Sequence, residues 1–123
     1  MPRQPNPILE ATIEEAIQDL YKVLFNHSLS QVTCSHMAEN VVAIVLESTT
    51  TLPETVLLQS HKIDTAKAFR HSLNSIFERY LRAMLTNAYE RDVHDLLGQY
   101  QYEVGCMSFI IILGKKTLSP NAP

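Results

Sequence analysis

Two short runs of apolar residues, 41–46 and 109–113, constrain the fold of this chain most strongly. Every residue in them is apolar, most are β-branched, and each run is too short for a typical helix, which predicts β-strands. A strand that is apolar on both of its faces is typical of a central strand that is covered on both sides. The chain is therefore predicted to build a sheet whose central strands need cover on both faces.

Each run is predicted to pair with the segment that precedes it. Residues 31–37 alternate weakly between apolar and polar side chains, which is typical of the first strand of a β-hairpin. Residues 92–97 precede the second run, and Gly98 and Gly105 bracket a loop suited to a second hairpin. The two hairpins together predict a four-stranded antiparallel sheet.

The segments outside the hairpins have the period of helices. Residues 8–25 place apolar side chains at three- and four-residue steps, and a short helix is expected over residues 54–59, just after a proline. One long helix is expected over about residues 64–90, because Asp64 is a good N-cap and neither Pro nor Gly interrupts the segment. Its predicted buried stripe consists of Ala66, Phe69, Leu73, Ile76, Phe77, Tyr80, Met84 and Ala88.

The resulting order, α-β-β-α-α-β-β, predicts an α+β fold with helices packed against the sheet. Residues 8–114 are predicted to form a single domain between a flexible arm of residues 1–7 and a flexible tail of residues 115–123. The helices can cover one face of the sheet, so the second face needs another cover. A symmetric homodimer would supply it; the alternative is that the short helix or the N-terminal helix wraps around.

Composition excludes several classes of function. The net charge of -3 argues against nucleic-acid binding, which favours a basic surplus. No apolar run approaches the roughly 20 residues of a membrane span, and the Pro-rich start lacks the apolar core of a secretory signal, so a cytoplasmic protein is expected. With 3 glycines, neither a phosphate-cradling loop nor a dinucleotide fingerprint can be written. We therefore expect a non-enzymatic, partner-binding protein without a cofactor.

Two groups of residues are candidates for binding a partner. Lys67, Arg70 and His71 are neighbours on the long helix and could meet an anion or an acidic partner; the alternative is a solvated helix face. Tyr100 and Tyr102 lie between the two glycines of the predicted hairpin. They could form an exposed recognition patch or fold back over the sheet edge.

The two cysteines are candidates for redox chemistry. Cys34 and Cys106 could form a redox pair if their α-carbons lie within about 7 Å of each other. Cys34 and His36 share a strand face and could reach one metal ion, but a structural zinc site needs four ligands and the fourth is unassigned. The sequence therefore predicts no metal site.

The succession of segments resembles a known family of short bacterial proteins. Its elements here are a helix over 13–24, a strand over 40–46, the Leu-Pro-Glu turn at 52–54, a long helix over 70–87 and a terminal strand over 106–113. Arg70 lies where that family tends to carry an arginine in its long helix. The family is named for the C component of a sodium-translocating, membrane-potential-generating system, and we describe the chain as similar to it (MpsC-like).

The resemblance implies a small cytoplasmic accessory protein linked to sodium, membrane potential or inorganic-carbon uptake, peripheral to the inner membrane. It implies no catalytic residue. Our first hypothesis is a homodimeric, regulatory protein that acts through contacts with a protein partner, which can be membrane-associated. The alternative is a small-molecule or anion sensor with its ligand site at a dimer cleft.

Overall fold

The protein, described by a computed structural model over residues 6–116, has the predicted α+β fold. The order of elements along the chain confirms the prediction. They are α1 (Pro7–Phe25), β1 (Gln31–Ala38), β2 (Val41–Glu47), α2 (Leu52–Gln59), α3 (Ile63–Tyr89), β3 (Arg91–Gln101) and β4 (Cys106–Lys116). Residues 1–5 of the predicted arm and 117–123 of the predicted tail lie outside the described residues.

Local signals at the helix ends explain where α1 and α3 begin and end. The side chain of Asn6 accepts a hydrogen bond from the Leu9 backbone N–H at 3.1 Å, and Pro7 occupies the first turn of α1. Asn26 ends α1 in the left-handed conformation, with a φ of 51°. Glu90 ends α3 in the same conformation, with a φ of 54°, which turns the chain directly into β3.

The four strands form one antiparallel sheet in the order β1-β2-β4-β3. The two apolar runs of the sequence are the central strands, as predicted. Ile44 of β2 lies between Cys34 of β1 and Phe109 of β4, and this register places alternate residues of both central strands on the same face.

Helices α1 and α3 cover one face of the sheet. Ile17 and Phe77 belong to the same buried cluster as Ile44, Phe109 and Ile111, and none of these five side chains is more than 1% exposed. Because both helices pack on this side, the alternative in which the N-terminal helix wraps around to the second face is wrong. The second face carries Ile110 and Leu97, which are 41% and 54% exposed.

The predicted loop between the two glycines is shorter than expected. Strand β3 continues through Gly98 to Gln101, so the turn is confined to residues 102–105. A Cβ atom at Gly98 would lie 2.8 Å from the Phe109 ring, so this glycine permits close packing over the core rather than a turn. Gly105 has a φ of 60° and is the glycine that the turn requires.

The buried face of α3 is rotated relative to the predicted stripe. Ile76 and Tyr80 are 37% and 47% exposed, whereas Leu81, Leu85 and Arg70 are buried. Ala66 and Phe77 of the predicted stripe are buried as predicted, whereas Ile76 and Tyr80 lie on its solvent-facing flank. This rotation brings a charged side chain into the core.

Candidate functional site

The basic residues predicted on the long helix do not form one site. Lys67 and His71 are exposed on the outer face of α3, whereas Arg70 is 2% exposed. The predicted anion-binding trio is therefore divided between solvent and core. A buried arginine requires acceptors for all of its N–H groups, because unpaired charged donors are costly to bury.

The Arg70 guanidinium has an acceptor for each of its donor groups. Its Nε donates to Glu54 Oε2 at 2.8 Å, and its Nη2 donates to Glu54 Oε1 and, at 2.7 Å, to the Thr49 carbonyl. Its Nη1 donates to the Tyr21 hydroxyl at 3.2 Å and to Asn74 Oδ1 at 3.1 Å. We call these five residues the Arg70 cluster.

Glu54 is placed in this cluster by the start of α2. It lies in the first turn of that helix, where its carboxylate accepts hydrogen bonds from the backbone N–H and the hydroxyl of Thr51, both at 2.9 Å. Glu54 is 0% exposed, so its charge is paired entirely within the protein. The cluster therefore joins α1, the segment after β2, α2 and α3 at one buried point.

The charge states of the Arg70 cluster are fixed by its surroundings. Burial by itself would lower the pKa of the Arg70 guanidinium, but its hydrogen bonds to Glu54 and Tyr21 raise that pKa above its ordinary value. Burial raises the pKa of Tyr21 to about 12. Arg70 thus stays cationic and is neutralised by Glu54. With its donors occupied, Arg70 is not available to an anion, which corrects the expectation that it binds one.

The two candidate tyrosines fold back toward the Arg70 cluster. The Tyr100 ring lies under the Arg70 guanidinium, with the Arg70 Cζ 4.6 Å from the ring centroid, and its hydroxyl is 3.2 Å from Thr50 Oγ1. Tyr102 packs edge-on against Tyr100, with 5.2 Å between ring centroids. Of the two alternatives for this pair, the structure therefore shows the folded-back arrangement.

Two buried hydroxyls near this region have no hydrogen-bond partner among the described residues. They are Thr49 Oγ1 and the Tyr102 hydroxyl. Thr49 is 0% exposed, and burial raises the pKa of Tyr102. An unpaired buried hydroxyl lowers stability, which makes Thr49 a position where an apolar residue should be preferred.

The two cysteines are too far apart to form a redox pair. Cys34 pairs with Ile44 and points into the core, whereas Cys106 pairs with Glu47 and lies on the second face. Strand β2 separates their strands, so their α-carbons are roughly 10 Å or more apart, beyond the reach of a disulfide. The distance condition for a redox pair is therefore not met, because the two residues lie on different strands and different faces. Burial raises the pKa of Cys34 to about 12, so this thiol stays protonated.

A second polar network lies at the other end of the core. Glu10 Oε2 accepts a hydrogen bond from the His36 backbone N–H at 2.9 Å and lies 2.9 Å from His36 Nδ1. His36 Nε2 is 2.6 Å from the Tyr89 hydroxyl. Hydrogen bonds from His36 lower the pKa of Glu10, whereas burial raises the pKa of Tyr89. The phenol of Tyr89 thus stays protonated. The contacts of Glu10 with His36 and of His36 with Tyr89 connect α1, β1 and α3.

In the part of the chain that the structure describes, His, Cys, Asp and Glu side chains do not come together in groups of three that could hold a metal ion. Cys34 and His36 lie on β1, but their surroundings are the core and the Glu10 carboxylate. Their shared strand therefore does not produce a ligand set.

An apolar groove lies on the helical side of the molecule. It has a volume of about 330 Å³ and is formed where the end of α1 meets the start of α2 and the first half of α3. We call it the helical groove. Its lining residues are Val23, Leu24, Phe25, Asn26, Thr51, Pro53, Phe69 and Leu73.

Large apolar side chains are exposed in and beside the helical groove. Val23 is 81% exposed, and Leu52 and Val56 on α2 are 72% and 51% exposed. Sequence reasoning missed this groove, because it assigned Phe69 and Leu73 to the core stripe of α3. The signal that could have revealed it is Val23, an apolar residue beside Asp19 and Asn26 on the outer face of α1.

None of the helices within residues 6–116 combines the length and the apolar character that crossing a membrane requires. Residues 7–115 match the family described as the Na+-translocating membrane potential-generating system (MpsC). The chain belongs to this family. No curated protein and no solved structure matches it. The matched residues run from α1 into β4, so they include the Arg70 cluster and the helical groove.

Proposed function

We propose that this MpsC-family protein is a non-enzymatic accessory component that regulates a sodium-translocating, membrane-potential-generating system by binding one of its membrane proteins. Membership of the family supports the link to that system. The helical groove supports the mode of action, because exposed apolar side chains around a concave surface are typical of protein-binding sites. The exposure of Val23, at 81%, is the observation on which the proposal depends most.

The proposed occupant of the groove is an apolar segment that a membrane component of the system presents outside the lipid. The groove volume of about 330 Å³ accommodates a few large apolar side chains rather than a whole domain. Val23 and Leu73 are the lining residues that such side chains would contact.

The buried polar networks support a binding role rather than catalysis. Arg70 and Glu54 neutralise each other, and the thiol of Cys34 and the phenol of Tyr89 stay protonated. None of these groups is poised as a nucleophile or base. Lys67 and His71 remain exposed on α3, so their contribution to a partner contact stays a prediction.

Co-purification with the membrane components of the system tests the proposal. The tagged protein, co-expressed with those components and extracted in mild detergent, should retain a membrane component in fixed stoichiometry. Val23→Glu should abolish this retention, because it places a charge in the groove. Ile8→Glu is the matched control, since Ile8 lies on the same helix outside the groove and is 80% exposed. Equal retention by both variants, or none by the wild type, would contradict the proposal.

A second candidate function is that of a sensor for a small apolar molecule. The observation that favours it is again the helical groove, whose volume of about 330 Å³ lies at the lower end of the range for ligand sites. This groove lies within one chain rather than at a dimer cleft. A ligand at 100 times its dissociation constant should stabilise the wild type by about 2.7 kcal/mol, measurable as a thermal shift that Val23→Glu removes. A metabolite screen without such a shift would count against it.

A further inference from the structure

The second face of the sheet exposes apolar residues in its centre. Leu97, Ile110 and Ala43 form one row across β3, β4 and β2, and Val41 and Ile112 pair in the next row. Ile110 is 41% exposed and Leu97 is 54% exposed, although Ile110 lies on a central strand. We call this surface the open sheet face.

The sequence pattern indicates that the open sheet face is normally covered. Strands with one solvated face alternate apolar and polar residues, whereas residues 41–46 and 109–113 are apolar throughout. Both helices that pack on the sheet lie on its other side, so within residues 6–116 the chain supplies no cover of its own. We propose that a second copy of this chain covers the open sheet face, in a two-fold symmetric, sheet-on-sheet homodimer.

The size of the face is sufficient for a specific dimer. Four strands span about 19 Å across, and eight residues along a strand span about 27 Å, so the face measures on the order of 500 Å² per copy. Two such faces bury on the order of 1,000 Å², which is where specific interfaces begin. Sheets that pack in this way lie about 10 Å apart with their strands nearly aligned.

The charge distribution fits a second copy of the same chain. In a two-fold interface the residue on the axis meets its own counterpart, so a charge there would be repulsive. The centre of the open sheet face, around Ile110, carries apolar residues together with the small polar residue Ser108. Of the acidic residues, Glu47 lies at the end of β2 and Asp95 lies on the edge strand β3, one row from Ile110.

The edges of the sheet favour face-to-face association over edge-to-edge pairing. Strand β1 is irregular between His36 and Ala38, and strand β3 is irregular between Arg91 and Asp95. Bulges at edge strands interrupt the row of free backbone groups with which another strand would pair. A dimer through either edge is therefore the less favourable arrangement.

The mass of the full chain in solution tests this proposal. Sedimentation velocity at micromolar concentration should give twice the 13.9 kDa of one chain. Ile110→Lys and Leu97→Lys should each halve that mass while circular dichroism shows a folded protein. Val104→Lys is the control, because Val104 lies in the turn after β3 and is 73% exposed. A monomeric wild type, or dimers of the folded Ile110→Lys and Leu97→Lys variants, would overturn the proposal.

A measurement on the wild type covers the case in which the lysine variants do not fold. In a sample that mixes isotope-labelled and unlabelled chains, an isotope-filtered NOE experiment should connect the methyl groups of Ile110 and Ile112 to the other copy. Intermolecular NOEs confined to the helices would overturn the sheet-on-sheet arrangement. The groove variant Val23→Glu should remain dimeric, so failure of this proposal and failure of the proposed function are distinguishable.

Discussion

Replacing Arg70 by methionine should destabilise the protein severely, because Glu54 would be left as a buried charge without its partner. Glu54 is 0% exposed and Arg70 is 2% exposed, and the guanidinium donates to both carboxylate oxygens. Removing one member of a buried ion pair costs about 3–5 kcal/mol. For a domain of this size, that loss lowers the melting temperature by roughly 10–20 °C.

Urea unfolding measures this loss and separates the ion pair from simple packing. The double variant Arg70→Met/Glu54→Leu removes both charges, so it should be more stable than Arg70→Met alone. Arg79→Met is the control, because Arg79 is an exposed arginine of the same helix, and it should stay within about 0.5 kcal/mol of the wild type. A cost below about 1 kcal/mol for Arg70→Met, or a double variant that loses the sum of both single costs, would refute the reasoning.

Three further substitutions test other parts of the structure. Thr49→Val removes a buried hydroxyl that has no partner and should raise the free energy of unfolding by about 1 kcal/mol in urea; a decrease would show that the hydroxyl is bonded. Gly98→Ala places a Cβ 2.8 Å from the Phe109 ring and should cost about 1–3 kcal/mol in thermal unfolding; an unchanged melting temperature would contradict this packing. The pKa of Glu10 is lowered from 4.5 by its hydrogen bonds from His36. The ionised carboxylate therefore stabilises the folded protein above about pH 4.5, and this stabilisation is lost as the pH falls through the lowered pKa of Glu10. Glu10→Gln should therefore flatten the pH dependence of stability below about pH 4.5, and an identical profile would count against the assignment.

The element types and the central position of the two apolar strands were predictable because they depend on local sequence patterns. The continuous apolar runs 41–46 and 109–113 require a central position in a sheet, and the uninterrupted segment 64–90 requires a long helix. The turn of the second hairpin was misplaced, because Gly98 has a packing role against Phe109 that pattern reasoning does not register. A glycine in an apolar context marks either a turn or a close approach, and the sequence alone does not distinguish them.

The buried position of Arg70 was missed for a different reason. Arg70 is four residues after Ala66 and seven before Phe77, so its spacing already placed it on the buried face of α3. A basic side chain on a surface helix is expected to face solvent, and the acid that permits the burial of Arg70, Glu54, lies on a separate helix. Long-range pairing of this kind is not encoded in helical periodicity. The sheet-face locations of Cys34 and Cys106 likewise depend on strand order and register.

Binding of the purified protein to the membrane components of the system, reconstituted in nanodiscs, is the most direct test of its proposed accessory role. The account predicts saturable binding by the wild type and by Ile8→Glu, and an affinity lower by roughly tenfold or more for Val23→Glu. Absence of binding by the wild-type protein, or equal affinities for Val23→Glu and Ile8→Glu, would contradict it.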